Sequence, residues 1–257
     1  MTAVYLYCVA KAARKPSTAK APDGLLGASR PEALHVAGSL WLVAAEVPLE
    51  TYGPGRLESH LADFDWVGRI ALAHEAVVEH FARQAGTTVI PMKLFTMFST
   101  RARAVADIGA RKKAIDTSLR KIAGAEEWGI RVLRGEPLAK APAGAAGRAA
   151  SGAAFLAAKK QARDAARHAT VAAAEVALQA YERLSKLSKD SRRRVDAPSA
   201  GAAPLLDAAF LVASAQRTKF TQMARREAAA CAAAGARMTL SGPWPAYNFV
   251  ESEERSR

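Results

Sequence analysis

The stretch Gly242-Pro243-Trp244-Pro245-Ala246-Tyr247-Asn248-Phe249 restricts the fold more than any other part of the chain. Each proline fixes φ and removes a backbone N–H donor, so this stretch can form neither a helix nor an interior strand. It predicts a stiff, extended tail after a strand at 236–241. Its rings, Trp244, Tyr247 and Phe249, are worth about 2 to 3 kcal/mol each when buried. The tail therefore either closes the core of its own domain or presents its rings to a partner.

The length and charge of the chain set the broad class. Its 257 residues, half of them hydrophobic, are enough for two domains. Lys and Arg number 37 against 24 for Asp and Glu, and the net charge of +13 favours acidic partners, nucleic acid or an anionic surface. The densest basic runs, 111–113 and 192–194, are interpreted as solvated helix faces and ends.

Cysteine usage and hydropathy indicate the compartment. Cys8 lies in an apolar strand pattern and Cys231 in an alanine run, where a thiol behaves as a small hydrophobe, so no disulfide framework is expected. The chain contains no run of 18 uncharged apolar residues and no basic leader. We therefore expect a cytoplasmic protein that does not insert into a membrane.

Residues 1–124 have the pattern of one α+β domain. Its predicted elements, in chain order, are a strand at 3–9 with apolar residues on both sides, a hairpin at 33–48, a helix at 66–85, a strand at 87–91 and a helix from 99 or 100 to 123. Asp63 or Asp65 can cap the first helix. The order favours helices on one face of a mostly antiparallel sheet.

Residues 125–257 form the second predicted α+β domain. Its elements are a strand at 126–133, a flexible connection at 135–152, a long helix at 151–188, a strand at 205–212, a helix at 219–234, a strand at 236–241 and the tail at 242–257. Phe155, Ala169 and Leu184 lie on one apolar face of the long helix. The many alanines on that face permit close approach of a second helix.

No catalytic or metal-binding pattern is present in the sequence. His74 and His80 are six residues apart, about 240° around a helix, so they cannot hold one metal ion. His74 is instead interpreted as a hydrogen-bonded core or interdomain histidine. The sequence has no Gly-x-Ser-x-Gly motif, P-loop ending or zinc cluster, so neither catalytic residues nor a cofactor is expected. One alternative is a small-molecule enzyme with an interdomain pocket around His74 and Trp128.

Several segments together are similar to the gas vesicle protein L/F family. They are Tyr5–Val9, Ala73–Glu75 with Val77 and Val78, Val89–Lys93, Glu127–Val132, Ser151–Leu156 before Lys159 and Lys160, and Ser241–Phe249. The resemblance spans essentially the whole chain, and the Gly-Pro-Trp-Pro-x-Tyr-x-Phe ending is its most specific part. The chain departs from the family at Leu94-Phe95-Thr96, where the usual pattern is Phe-Gly-Thr. That substitution leaves the local backbone turn in question.

The resemblance implies a non-enzymatic accessory or minor structural protein of gas vesicle assembly. It also implies two α+β domains, the first with a ferredoxin-like sheet. The implied partners are the small, hydrophobic major shell protein and other accessory proteins, with self-association also considered. Candidate residues for partner binding or tail docking are Trp244, Tyr247, Phe249, Phe155, Lys159 and Lys160. The main alternative from a different class is a basic module that binds nucleic acid.

Overall fold

The computed structural model describes residues 1–135, 152–194 and 203–250. Its contacts divide the chain into two compact units. The first contains Met1–Ala125 together with the described residues from Trp244 onward, and the second contains Glu126–Pro243. The sequence had placed the whole tail, 242–257, in the second domain, whereas the tail contacts place Trp244 and its successors with the first. Nearly all of the predicted connection at 135–152 lies outside the described residues.

The first unit is built on an antiparallel sheet. Its elements are β1 (Thr2–Lys11), β2 (Glu32–Ala37), β3 (Leu40–Pro48), α1 (Leu49–Tyr52), α2 (Pro54–His60), α3 (Phe64–Ala82), β4 (Thr88–Pro91), β5 (Met97–Phe98), α4 (Arg101–Ala110) and α5 (Lys112–Ile122). The strand order is β2-β3-β1-β4, and β5 also pairs with β1. The pairs β1–β3, β1–β4 and β2–β3 are antiparallel. The predicted α+β class and antiparallel first sheet are confirmed.

Both faces of the central strand β1 are buried. Tyr5 and Tyr7 lie in a core cluster with Ile70 and Val77 of α3. Val4 and Leu6, whose side chains alternate with these tyrosines, are buried as well, and α4 and α5 contact β2 and β4. The expectation of helices on one face is therefore corrected, because a strand that is apolar on both sides needs cover on both sides.

Local capping sets the ends of the helices in this unit. The Asp63 side chain accepts hydrogen bonds from the backbone N–H groups of Asp65 and Trp66, so Asp63 is the N-cap of α3. The Thr100 side chain caps α4 in the same way. The single helix predicted up to residue 123 divides at Arg111, whose ψ of 10° is not helical.

In its described residues, the second unit is a four-stranded sheet packed against two helices. Its elements are β6 (Ala125–Arg134), α6 (Gly152–Ser185), β7 (Asp190–Arg193), β8 (Leu206–Ala213), α7 (Arg217–Ala233) and β9 (Ala236–Trp244), with the strand order β7-β8-β6-β9. A core cluster joins Trp128 and Ile130 of β6 to Phe210 of β8 and Phe220 of α7.

The basic run at 192–194 is not the solvated helix end that the sequence indicated. Arg192 and Arg193 belong to β7 and pair with Ala209 and Ala208 of β8. Arg194 follows the strand, and its Nε lies 2.7 Å from Oδ1 of the buried Asp207. A strand without apolar residues gives no hydrophobic alternation, so the sequence pattern did not reveal it.

The last strand runs further than the sequence predicted. β9 continues through Gly242 and Pro243 to Trp244, three residues beyond the expected end at 241. It lies at the edge of the sheet, where a proline removes no hydrogen bond that a neighbouring strand requires. Residues 247–249 then form a turn, so the tail is not extended throughout.

Candidate docking surfaces

The two halves of α6 differ in what covers them. In the C-terminal half, Ala173, Ala177, Ala180 and Leu184 are buried in the core of the second unit, at the three- and four-residue spacing of one helix face. In the N-terminal half, every side chain of residues 153–169 is exposed. This half is about 25 Å long at the rise of an α-helix. We call residues 153–169 the free half of α6.

The free half continues the apolar face that is buried further along the helix. Phe155, Ala162, Ala166 and Ala169 fall on the same side of the helix as Ala173 by the 3.6-residue period. Phe155 is 59% exposed, and its neighbour Leu156 is 66% exposed. Large exposed apolar side chains on an uncovered helix segment are typical of a binding surface.

The free half is also basic. It carries four Lys and Arg side chains against the single acid Asp164, a net charge of +3. Lys159 follows Phe155 by four residues and Lys160 follows Leu156 by four, so each lysine borders one of the two exposed apolar side chains. The candidate residues Phe155, Lys159 and Lys160 are therefore brought together on one exposed surface.

A groove connects the free half to the body of the second unit. Its volume is about 570 Å³, and its walls come from α6, α7 and the ends of β6 and β9. The lining is mostly alanine, including Ala166 and Ala169 of the free half, and among the described residues its charged members are Arg134 and Arg237. The groove therefore extends an apolar surface with basic flanks.

The three rings of the tail have different environments. Phe249 is fully buried and Tyr247 is half-buried, whereas Trp244 is 42% exposed. The Tyr247 hydroxyl donates a hydrogen bond to Oε2 of Glu75 on α3. Burial, followed by the nearby Glu75 carboxylate, raises the pKa of Tyr247 well above its usual range. Tyr247 and Phe249 therefore dock within the first unit, and Trp244 is the ring that remains accessible.

His74 and Trp128, the residues of the alternative enzyme hypothesis, are each core residues of their own unit. The Tyr5 hydroxyl and Nδ1 of His74 form a hydrogen bond at 2.8 Å, and burial lowers the pKa of His74 to about 4. Trp128 packs beside Phe220 with ring centroids 6.2 Å apart. Within the described ranges, no group of three or more His, Cys, Asp or Glu side chains could hold a metal ion.

The turn after Lys93 contains an aromatic stack that the sequence did not reveal. Phe95 has φ of 63°, the left-handed conformation that the glycine of the family pattern would adopt readily. Its ring lies parallel to that of Trp66, 5.9 Å away, and Trp66 also stacks on His60 at 4.7 Å. Phe95 thus adopts a backbone conformation open to glycine and adds a ring contact.

A sequence profile described as "Gas vesicle synthesis protein GvpL/GvpF" matches residues 3–251 of the chain. The chain belongs to the GvpL/GvpF family. This result confirms the resemblance in the sequence, and it supports a gas vesicle-related role for the protein.

Relatives of known sequence and structure agree with GvpL/GvpF membership. Gas vesicle protein L of Streptomyces sp. (strain CB03234) is 28% identical over 262 residues, covering 96% of this chain and 92% of the relative. The crystal structure of the gas vesicle protein GvpF from Anabaena sp. PCC7120 matches with a TM-score of 0.63 at 14% identity, over 98% of this chain and 100% of the other. GvpF from Microcystis aeruginosa gives the same TM-score and identity over 97% and 99%. The two GvpF structures establish the fold.

The hydropathy of the helices bears on membrane insertion. Among the helices of the described residues, none combines the length and the apolar character needed to cross a bilayer.

Proposed function

We propose that this member of the GvpL/GvpF family is an accessory or minor structural protein that binds the small hydrophobic shell protein, together with other accessory proteins, during nucleation of the gas vesicle. Family membership supports the gas vesicle role. The observation that carries the binding proposal is the free half of α6, where Phe155 and Leu156 stand in solvent on a basic helix. In this proposal the protein acts through surfaces in the cytoplasm and at the growing vesicle, without catalysis.

In the proposed mechanism, this protein temporarily covers the apolar surface of a free shell subunit. A small hydrophobic subunit that is free in solution exposes strand edges and apolar faces, which lead to aggregation. The free half of α6 and its groove offer an apolar strip with positive charges on its flanks. Docking there would hide the apolar face of the subunit until a growing shell replaces the contact.

Co-purification tests the proposal directly. The tagged chain is co-expressed with the shell protein and the other accessory proteins of the same cells. We expect the shell protein to be retained by the native chain and its retention to fall at least tenfold in Phe155→Ser/Leu156→Ser. Val171→Ser changes an exposed apolar residue of α6 outside the free half and serves as the matched control. No retention by the native chain, together with normal vesicles in a deletion strain, would refute the proposal.

A salt titration separates this proposal from nucleic-acid binding, which the net charge of +13 also favours. Binding driven by phosphate contacts loses about 10³ to 10⁵ in affinity between 50 and 200 mM salt when 6 to 10 phosphates are contacted. Capture of an apolar subunit should change by only a few-fold over that range. Retention of an oligonucleotide with the steep salt dependence, without retention of shell protein, would favour the nucleic-acid module.

A further inference from the structure

The outer side of α3 carries an apolar face that the first unit does not cover. Phe64 is 87% exposed and Leu72 is 74% exposed. They lie eight residues apart on one side of the helix, about 12 Å along its axis. Gly68 lies between them, and no atom comes within 4 Å of the position that a Cβ would occupy there. The surface formed by Phe64, Gly68 and Leu72, which we call the α3 face, is therefore a shallow notch between two apolar side chains.

The surroundings of the α3 face are acidic. From the cap Asp63 to Ala82 the helix carries four Asp and Glu side chains against the single base Arg69, a net charge of −3. Glu79 lies on the same side of the helix as Phe64 and Leu72, whereas Glu75, further along that side, is half-buried and accepts the hydrogen bond of Tyr247. Arg83 neutralises part of this charge through its ion pair with Glu79. The α3 face thus combines exposed apolar side chains with negative charge.

The α3 face and the free half of α6 are complementary in charge. Both are exposed helix surfaces with two large apolar side chains. With Arg83 counted, residues 63–83 carry a net charge of −2, against +3 for the free half. Two copies of the free half would place like charges together, so that surface does not fit itself. The alanines of the free half permit a close helix approach, and Gly68 leaves room for a bulky side chain such as Phe155.

We infer that a second copy of this chain occupies each surface, with the free half of α6 in one copy packed on the α3 face of the next. This contact joins two different surfaces, so two copies can make it reciprocally in a closed dimer, or repetition can give a larger ring or an open chain. The inference concerns the chain alone and does not depend on the proposed function. Because shell-protein docking would use the same free half, the two occupants would exclude each other.

The association should be weak and salt-dependent. The contact spans only two or three helical turns on each side, which is smaller than a stable interface of roughly 1,200 to 2,000 Å². Its charges are exposed, and salt screens them over about 8 Å at physiological ionic strength. We therefore expect oligomers at tens of micromolar protein in low salt and at least a several-fold weaker association in 0.5 M NaCl.

Sedimentation velocity with two blocked variants tests the contact. Phe64→Ser/Leu72→Ser removes the α3 face and keeps the free half, whereas Phe155→Ser/Leu156→Ser does the reverse. We expect the native chain to form a concentration-dependent series of oligomers and each variant alone to remain monomeric. An equimolar mixture of the two variants should form a 1:1 dimer and nothing larger, because each supplies the one surface that the other has lost.

Control measurements distinguish loss of the contact from a folding defect in a variant. The four substituted residues are exposed, so thermal melting should match the native chain. Leu26→Ser and Val171→Ser change exposed apolar residues outside both surfaces and should keep the native oligomers. Lys159→Glu/Lys160→Glu removes no apolar contact and should also abolish assembly at low salt. A native chain that stays monomeric at every concentration, a blocked variant that still oligomerises, or a mixture that stays monomeric would each overturn the inference.

Discussion

At the scale of single residues, Phe95 shows how a contact can maintain an unfavourable backbone conformation. A left-handed conformation costs a non-glycine residue about 1 to 2 kcal/mol. Phe95 adopts it, with φ of 63°, at a position where the family pattern has glycine. The parallel stack on Trp66 offsets this cost, because such aromatic pairs contribute about 0.5 to 1.5 kcal/mol beyond the area they bury.

Two substitutions of Phe95 separate the cost of its left-handed backbone from the contribution of its stacking on Trp66. Phe95→Ala and Phe95→Gly both remove the ring, but only alanine keeps the backbone strain. We expect the glycine variant to be more stable than the alanine variant by about 1 kcal/mol in urea unfolding. An alanine variant that equals or exceeds the glycine variant would show that the turn is not strained.

His74 makes the stability of the first unit depend on pH. Burial lowers its pKa to about 4, from 6.5 for the ordinary histidine. Below pH 6.5 the unfolded chain therefore binds a proton that the native protein excludes. The stabilising effect of the neutral ring is complete above pH 6.5 and is lost as the pH falls toward 4, by up to about 3 kcal/mol.

The His74→Gln variant should remove this dependence. Glutamine can still form a hydrogen bond with Tyr5 but does not titrate. We expect urea midpoints of the native chain to fall between pH 7.5 and 4.5 by more than those of the variant. Titrating carboxylates affect both proteins, so the difference between the two curves is the relevant measurement. His168→Gln, at an exposed position on α6, should behave as the native chain.

At the scale of elements, two aromatic rings of the tail are docked in the first unit and the third is partly exposed. Phe249 is completely buried and Tyr247 hydrogen-bonds to Glu75, whereas Trp244 at the end of β9 is partly in solvent. Burial of a phenylalanine contributes far more stability than partial cover of a larger ring, because only area removed from water counts.

Single substitutions should rank the contributions of these rings to stability. We expect Phe249→Ala to lower the free energy of unfolding by about 3 to 5 kcal/mol, as for a phenylalanine removed from a core. Tyr247→Phe should cost about 1 to 3 kcal/mol, since it removes one hydrogen bond to the half-buried Glu75 carboxylate. Trp244→Ala, the matched control on the same segment, should cost about 1 kcal/mol or less. Equal losses of stability in Phe249→Ala and Trp244→Ala would contradict the conclusion that Phe249 is docked and Trp244 is partly exposed.

At the scale of the whole molecule, the first unit is discontinuous in sequence. The chain leaves it near Ala125, forms the second unit, and supplies its residues from Trp244 onward to the first unit again. Completion of the first unit therefore depends on the far end of the chain, a long-range dependence that local sequence patterns do not encode.

Truncation of the tail tests this dependence by hydrogen–deuterium exchange. A chain that ends after Pro243 should lose amide protection in β1, β3 and β4, while β6 and β8 of the second unit keep theirs. A chain that ends after Val250 retains Tyr247 and Phe249 and should match the full chain. Unchanged protection in the first unit after the shorter truncation would show that the tail is dispensable for its stability.

Local features of the sequence determined much of the fold. Asp63 and Asp65 were the two predicted caps of α3, and Asp63 is the one that caps it, because a cap and the apolar period act within a few residues of each other. The apolar strand at 3–9 predicted a buried central strand. The proline-rich ending, together with the other motifs, predicted the family that the profile then confirmed.

Only the tertiary structure decided which apolar surfaces are covered. The sequence predicted one apolar face along the whole of α6, but the second unit covers it at 173–184 and leaves it free at 153–169. The strand β7 and the docking of Phe249 in the first unit were likewise missed. Periodicity specifies which side of an element is apolar, whereas cover depends on contacts between residues far apart in the chain, and no local pattern records those contacts.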